Sequence, residues 1–128
     1  MIVVTMNEIP GYQVDAILGE VMGVTVRSRD MFSQMGAGLK AMVGGELKGM
    51  TSNLYESRVE ATNRMTAEAG ARGGNAVIAV RFDASDLGGT WTELCAYGTA
   101  AVVSPIPAGM PGATAQSASA AAQPGQPR

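Results

Sequence analysis

The run TWTELCAYGTAAVV, residues 90–103, constrains the fold most strongly, because its residues alternate strictly in character. One side of the predicted strand is apolar and mostly small, with Leu94, Ala96, Gly98, Ala100 and Val102. The other side carries Trp91, Glu93, Cys95, Tyr97 and Thr99. A period of two is typical of a strand that buries one face. We therefore expect a core against the small residues, and a site or a partner-covered surface on the other side.

Three further segments predict strands: MIVVT at 1–5, YQVDAILGEVMGVTVRS at 12–28 and NAVIAVRFDA at 75–84. In the second segment Gly19 and Gly23 indicate a bulge or bend. The apolar residues expected to share one face of that segment are Val14, Ala16, Leu18, Met22, Val24 and Val26. The third segment is expected to form a hairpin with residues 91–103, and its expected inner residues are Ala76, Ile78, Val80, Phe82 and Ala84.

The segment TSNLYESRVEATNRMTAEAGARGG, residues 51–74, predicts the clearest helix. Its expected inner stripe consists of Leu54, Ala61, Met65 and Ala69, and Gly73 ends it. Arg58 falls on the same stripe. Its stem is expected to pack while the guanidinium reaches outward, and a buried ion pair is the alternative. A shorter helical face is predicted from Met31 to Met42.

Composition excludes several classes of protein. The chain has 128 residues, a net charge of −2, one cysteine and no histidine. Without histidine, a Ser-His-Asp triad, a Cys-His pair and histidine-based metal motifs are excluded. The lack of a basic stripe argues against nucleic-acid binding. No apolar run is long enough to span a membrane, and the first residues do not have the pattern of a signal peptide, so we expect a cytoplasmic protein.

Composition also changes along the chain. Residues 104–128 are rich in Pro, Ala, Gln and Ser, and predict a disordered tail. The folded domain is then residues 1–103. Its core would be thin, because much of its hydrophobic content is Ala and Met, and we expect stability to depend partly on association.

The hairpin brings candidate functional residues together. If both strands turn their apolar faces to the same side, Arg81 and Asp83 share a surface with Glu93, Cys95 and Tyr97. We take these five, with Arg58, as the candidates for binding a ligand or a partner subunit. Within this set, Cys95 and Glu93 are the candidate metal ligands, and a single cysteine requires that such a site be shared between subunits.

The chain resembles the YbjQ-like family of small bacterial proteins, which carry a heavy-metal-binding label. The resemblance covers residues 1–103, through IPGYQVDAILGEVMGVTVRS, VGGELKGMT, ESRVEATNRMTAEAGARGGNAVIAVRFD and GGTWTELCAYGTAAVV. It implies a two-layer α+β subunit with an antiparallel sheet and one long helix. It also implies a cyclic homopentamer in which the sheets pack around the axis.

Three functions follow as hypotheses. The first is a non-enzymatic, homo-oligomeric binding or scaffold protein. The second is a heavy-metal binder that uses Cys95 and carboxylates from neighbouring subunits, with a thiophilic metal ion as ligand. The third is an enzyme with a site between subunits, built from Glu93, Asp83 and Tyr97. We rank the enzyme last, because no nucleophile-base pair is visible.

Overall fold

The computed structural model of the chain describes residues 1–28, 48–89 and 91–125, without the side chains of residues 48–51. The helical face predicted from Met31 to Met42 lies outside these residues. The strands are β1 (Ile2–Val3), β2 (Tyr12–Ser28), β3 (Ala76–Leu87) and β4 (Trp91–Pro105). The helices are α1 (Lys48–Ala71) and α2 (Ala115–Ala122). The predicted α+β class is confirmed.

The four strands form one mixed sheet in the order β1-β3-β4-β2. Strand β4 pairs antiparallel with both β3 and β2, which confirms the predicted hairpin. The prediction of a wholly antiparallel sheet is wrong, because β1 runs parallel to β3. The N-terminal segment continues along this edge, where the Val4 amide donates to Val77 and the Val80 amide donates to Val4.

Helix α1 lies on one face of the sheet and forms the main core with it. Ala61, Met65 and Ala69 of α1 are fully buried, as predicted. They pack in one cluster with Ala96 and Ala100 of β4, which confirms the core face of that strand. Leu54, predicted on the same stripe, keeps 47% of its surface exposed.

The close contact between helix and sheet is made at Gly23 of β2. A Cβ at this position would lie 2.0 Å from the Ala61 carbonyl oxygen and 2.5 Å from the Met65 amide nitrogen. A Cβ at Gly98 of β4 would instead meet Val77 and Val80 of β3. The helix backbone therefore rests on β2, and Gly23 permits its approach.

Two irregularities change which residues face α1. The register of β3 shifts between Ile78 and Arg81, around Ala79 with φ 55°. Val77 and Val80 therefore both join the core under α1, whereas Ala76 and Ile78 belong to a second cluster. The prediction of one continuous inner face from Ala76 to Ala84 is wrong because a β-bulge adds one residue to the strand.

Strand β2 has a β-bulge at Gly19, whose φ is 97°. Its register against β4 shifts between Val14 and Ala16 and again between Ile17 and Gly19. The second shift confirms the irregularity predicted at Gly19, whereas the register is regular at Gly23. After the shift Val21 is buried in the core, while Met22 and Val26 are exposed. The prediction that they share one face with Leu18 is therefore wrong, because Leu18 packs against the core.

The free edge of β2 is covered by polar side chains of α1. Arg72 donates to the carbonyls of Leu18 and Glu20, at 3.3 and 3.0 Å, and Arg64 donates to that of Val24 at 2.6 Å. Between them, the Met22 amide donates to the Glu68 carboxylate at 3.1 Å. Side chains spaced four residues apart on the helix thus form hydrogen bonds with backbone amides and carbonyls that have no neighbouring strand to pair with in the described part of the sheet.

The segment after β4 is helical over Ala115–Ala122 and begins with a capping box between Thr114 and Ser117. Ser117 is fully buried, and its hydroxyl donates to the Ile106 carbonyl at 2.9 Å. This arrangement differs from the disordered tail expected for residues 104–128, and it shows how capping hydrogen bonds can order a segment of low complexity. The domain boundary after residue 103 stays a prediction.

No helix in the described ranges is both long enough and apolar enough to cross a membrane.

Candidate functional site

The sheet face opposite α1 carries the candidate residues, and we call it the outer face. Side chains alternate along each strand, so the residues between those of the main core point to this side. The strand register assigns to it Glu20, Met22, Val24 and Val26 of β2; Arg81, Asp83, Ser85 and Leu87 of β3; and Trp91, Glu93, Cys95 and Tyr97 of β4.

Five of the six predicted site residues lie together on the outer face. Asp83 pairs with Cys95 in the register, and Arg81 pairs with Tyr97. Glu93 lies opposite Ser85 rather than Arg81. The Arg81 guanidinium donates to the carbonyls of Thr5 and Val80, each at 2.8 Å, so it fastens the N-terminal segment to β3.

Arg58 is the sixth predicted residue, and it lies away from the outer face. Its guanidinium carbon lies 5.1 Å from the centroid of the Phe82 ring on the helix side of the sheet. No carboxylate of the described residues forms a salt bridge with it. The alternative of a buried ion pair at Arg58 is therefore not seen within that part of the chain, and the exposed side chain packs against an aromatic ring.

The Cys95 thiol has an acidic environment. Its pKa is raised above the ordinary value, first by burial and then by the negative charges of Glu93, Asp83 and Glu20. The contribution of Glu20 was missed by sequence reasoning, because nothing local predicts that β2 and β4 are neighbours. These carboxylates favour a cation near Cys95 and disfavour an isolated thiolate.

The outer face also exposes large apolar side chains. Met22, Val26, Leu87 and Trp91 keep between 43% and 49% of their surfaces accessible. The register places Leu87 directly opposite Trp91, and Met22 opposite Tyr97. The other end of this face is already covered, because Ile9 packs there on Ala76, Ile78, Ala101 and Val103.

These features define a class of small α+β protein, with a helix covering one sheet face and the opposite face left partly open. The chain belongs to the YbjQ family, whose model, described as "Putative heavy-metal-binding", matches residues 1–104.

Bacterial relatives support this membership. The chain is 62% identical over 104 residues to a UPF0145 protein of Acidothermus cellulolyticus, covering 81% of this chain and 96% of the relative. It is 42% identical over 106 residues to the UPF0145 protein YjfJ of Lactococcus lactis, covering 83% and 97%. These names indicate no enzymatic activity.

A solved structure is similar in fold. It is the crystal structure of a protein of unknown function from Pediococcus pentosaceus, which belongs to the DUF74 family. The TM-score is 0.53 at 14% identity, with 80% of this chain and 97% of that chain covered. At this identity the likeness supports the fold alone.

Proposed function

We propose that the protein is a homo-oligomeric binding or scaffold protein whose subunits associate through the outer face. The observation that carries this proposal is that four large apolar side chains, Met22, Val26, Leu87 and Trp91, are exposed on one sheet face. Exposed apolar surface of this kind is typical of interaction sites. A second copy of the chain is the partner that is always present at matching concentration.

The composition of the core supports the same proposal. The fully buried core residues include Ala61, Ala69, Ala96 and Ala100. Alanine side chains bury little apolar area, and burial contributes roughly 25 cal/mol per Å². Association through the outer face would add the burial that one subunit lacks, and the family resemblance implies five subunits.

The carboxylates of the outer face limit how the subunits can pack. Asp83 and Glu93 form no salt bridge with another described residue. A carboxylate buried without a partner is strongly unfavourable. We therefore place both beside water or a cation held within the interface, between the apolar contacts of Trp91 and Leu87 at one end and those of Met22 at the other.

Native mass spectrometry of the full chain, purified without chelators, tests the proposal. One species with the mass of five subunits is expected, and it should persist on dilution to micromolar concentration. A monomer under these conditions would contradict the proposal.

A metal site between subunits is a second candidate, favoured by the acidic surroundings of Cys95. Within one chain the donors do not fit, because no three Cys, Asp or Glu side chains of the described residues converge. A site would therefore require Cys95 and Glu93 from more than one subunit. The third hypothesis, an enzyme using Glu93, Asp83 and Tyr97, stays a prediction.

Cadmium ion is a suitable probe of the metal candidate. The parent should retain cadmium after desalting, and Cys95→Ser should lose it while keeping the same oligomer mass. Equal retention by the two proteins would exclude a thiolate site.

A further inference from the structure

A separate cavity lies on the helix side of the sheet, between the first half of α1 and strands β2, β3 and β4. Its volume is about 100 Å³, and Thr25, Arg27, Ser57, Arg58 and Leu94 are among its lining residues. A single water needs only about 10–15 Å³ of such space. The cavity can therefore hold a small organic molecule, and it is independent of the outer face.

Thr25 gives the first indication of a ligand. Only 2% of its surface is exposed, and its hydroxyl has no hydrogen-bond partner among the described residues. A buried hydroxyl without a partner destabilises the fold, because it has lost its hydrogen bonds to water. Such groups are uncommon in folded proteins, and this one lines an open cavity.

The charged lining gives the second indication. Arg27 pairs with Glu60 and also donates from Nε to the Ser57 hydroxyl at 3.4 Å. Glu60 is shared with Arg64, whereas Arg58 has no salt bridge to a described residue. Two arginines thus line the cavity, and the one carboxylate paired with Arg27 is also shared with Arg64, so the positive charge around the cavity favours an anion.

The apolar part of the lining indicates which kind of anion would fit the cavity. Leu54, Ala84 and Leu94 give the cavity an apolar wall, and Thr92 is the other lining residue. A fully hydrated inorganic anion would leave this wall in contact with polar atoms, whereas a short hydrocarbon chain would pack on it. We propose that the cavity binds a small aliphatic monocarboxylate, with its carboxylate toward Thr25 and the arginines.

Sodium butyrate is the probe, and amide chemical shifts of the full-length protein are the readout. Butyrate should shift the signals of residues around the cavity in a saturable manner. n-Butylammonium has the same number of carbon atoms and the opposite charge, and should not cause such shifts. Inorganic phosphate should bind more weakly than butyrate. No saturable shift with millimolar butyrate, or tighter binding of phosphate, would overturn the proposal.

Two matched variants locate the site. Thr25→Val keeps the shape of the side chain and removes the hydroxyl, so it should weaken butyrate binding about tenfold. Thr99→Val makes the same change outside the cavity and should leave binding unchanged. Because Thr25→Val removes an unpaired buried hydroxyl, it should fold and keep the parent's oligomer mass. Unchanged affinity in Thr25→Val would contradict the proposal whatever the oligomeric state.

Discussion

At the scale of single residues, Gly23 is the position where substitution should be most costly. Its neighbours at 2.0 and 2.5 Å are backbone atoms of α1, which cannot move aside as a flexible side chain would. Gly23→Ala should destabilise the protein by about 1–3 kcal/mol or more, because the helix must lift off the sheet. Chemical denaturation measures this difference.

Gly70→Ala is the matched control. Gly70 lies within α1, and an added Cβ would meet only the end of Met1 at 3.7 Å. Because glycine is unfavourable within a helix, this change should stabilise the protein by about 0.5–1 kcal/mol. Equal effects of the two substitutions would show that α1 does not rest on β2 at Gly23.

Cys95 gives a prediction about pH. Its folded-state pKa is raised by burial and by Glu93, Asp83 and Glu20, so the fold favours the neutral thiol. The contribution of the neutral thiol to the free energy of unfolding should be fully present below the unfolded-state thiol pKa. It should be lost as pH rises through the folded-state pKa. The alkylation rate of Cys95 should accordingly have its midpoint above the ordinary thiol range.

Asp83→Asn tests the electrostatic cause, because it removes one of the charges that raise the thiol pKa. The midpoint of alkylation should move to lower pH, and Asp15→Asn, at an exposed position outside this group, should leave it in place. An unchanged midpoint in Asp83→Asn would contradict the role of that carboxylate.

At the scale of elements, the covered edge of β2 depends on α1. The Met22 amide donates to Glu68, which is also paired with Arg72. Glu68→Ala should speed hydrogen exchange at the Met22 amide, because that amide loses its acceptor. Glu68→Gln keeps an acceptor and should preserve most of the protection. Equal exchange in both variants would mean that water or another group satisfies this amide.

Sequence alternation predicted the elements well where each strand stayed regular. The inner row of β4 and the stripe Ala61, Met65 and Ala69 follow from local periodicity alone. The faces of β2 and β3 could not be read in the same way, because one extra residue at a bulge reverses all later positions. Gly19 signalled its bulge, whereas Ala79 carries no comparable signal.

Part of the candidate site could also be predicted from the regular alternation of side chains along the strands. Arg81 and Asp83 follow the bulge in β3, so parity with β4 correctly placed them beside Tyr97 and Cys95. The approach of Glu20 depends on the pairing of strands far apart in sequence, which no local pattern specifies. The cavity at Thr25 depends on how α1 lies over the sheet, which is likewise a tertiary property.

At the scale of the whole molecule, one subunit has a covered helix side and a partly open outer face. Helix α1 packs on the helix side, and among the described residues the N-terminal segment covers one end of the opposite side. The remaining surface combines aromatic, thiol and carboxylate groups in a strip flanked by exposed apolar residues. Association through this strip would bury the second face of the alternating run in β4, whose first face packs under α1.

The solution mass of Tyr97→Asp, measured beside that of Tyr55→Asp, tests this claim most directly. Both variants replace tyrosine with aspartate, but Tyr97 lies on the outer face and Tyr55 is 69% exposed on α1. Tyr97→Asp should dissociate to folded monomers, because it places a carboxylate in the interface while Arg81, its cross-strand neighbour, is already hydrogen-bonded to the Thr5 and Val80 carbonyls. Tyr55→Asp should keep the parent's mass. A Tyr97→Asp protein that remains fully oligomeric would contradict the account.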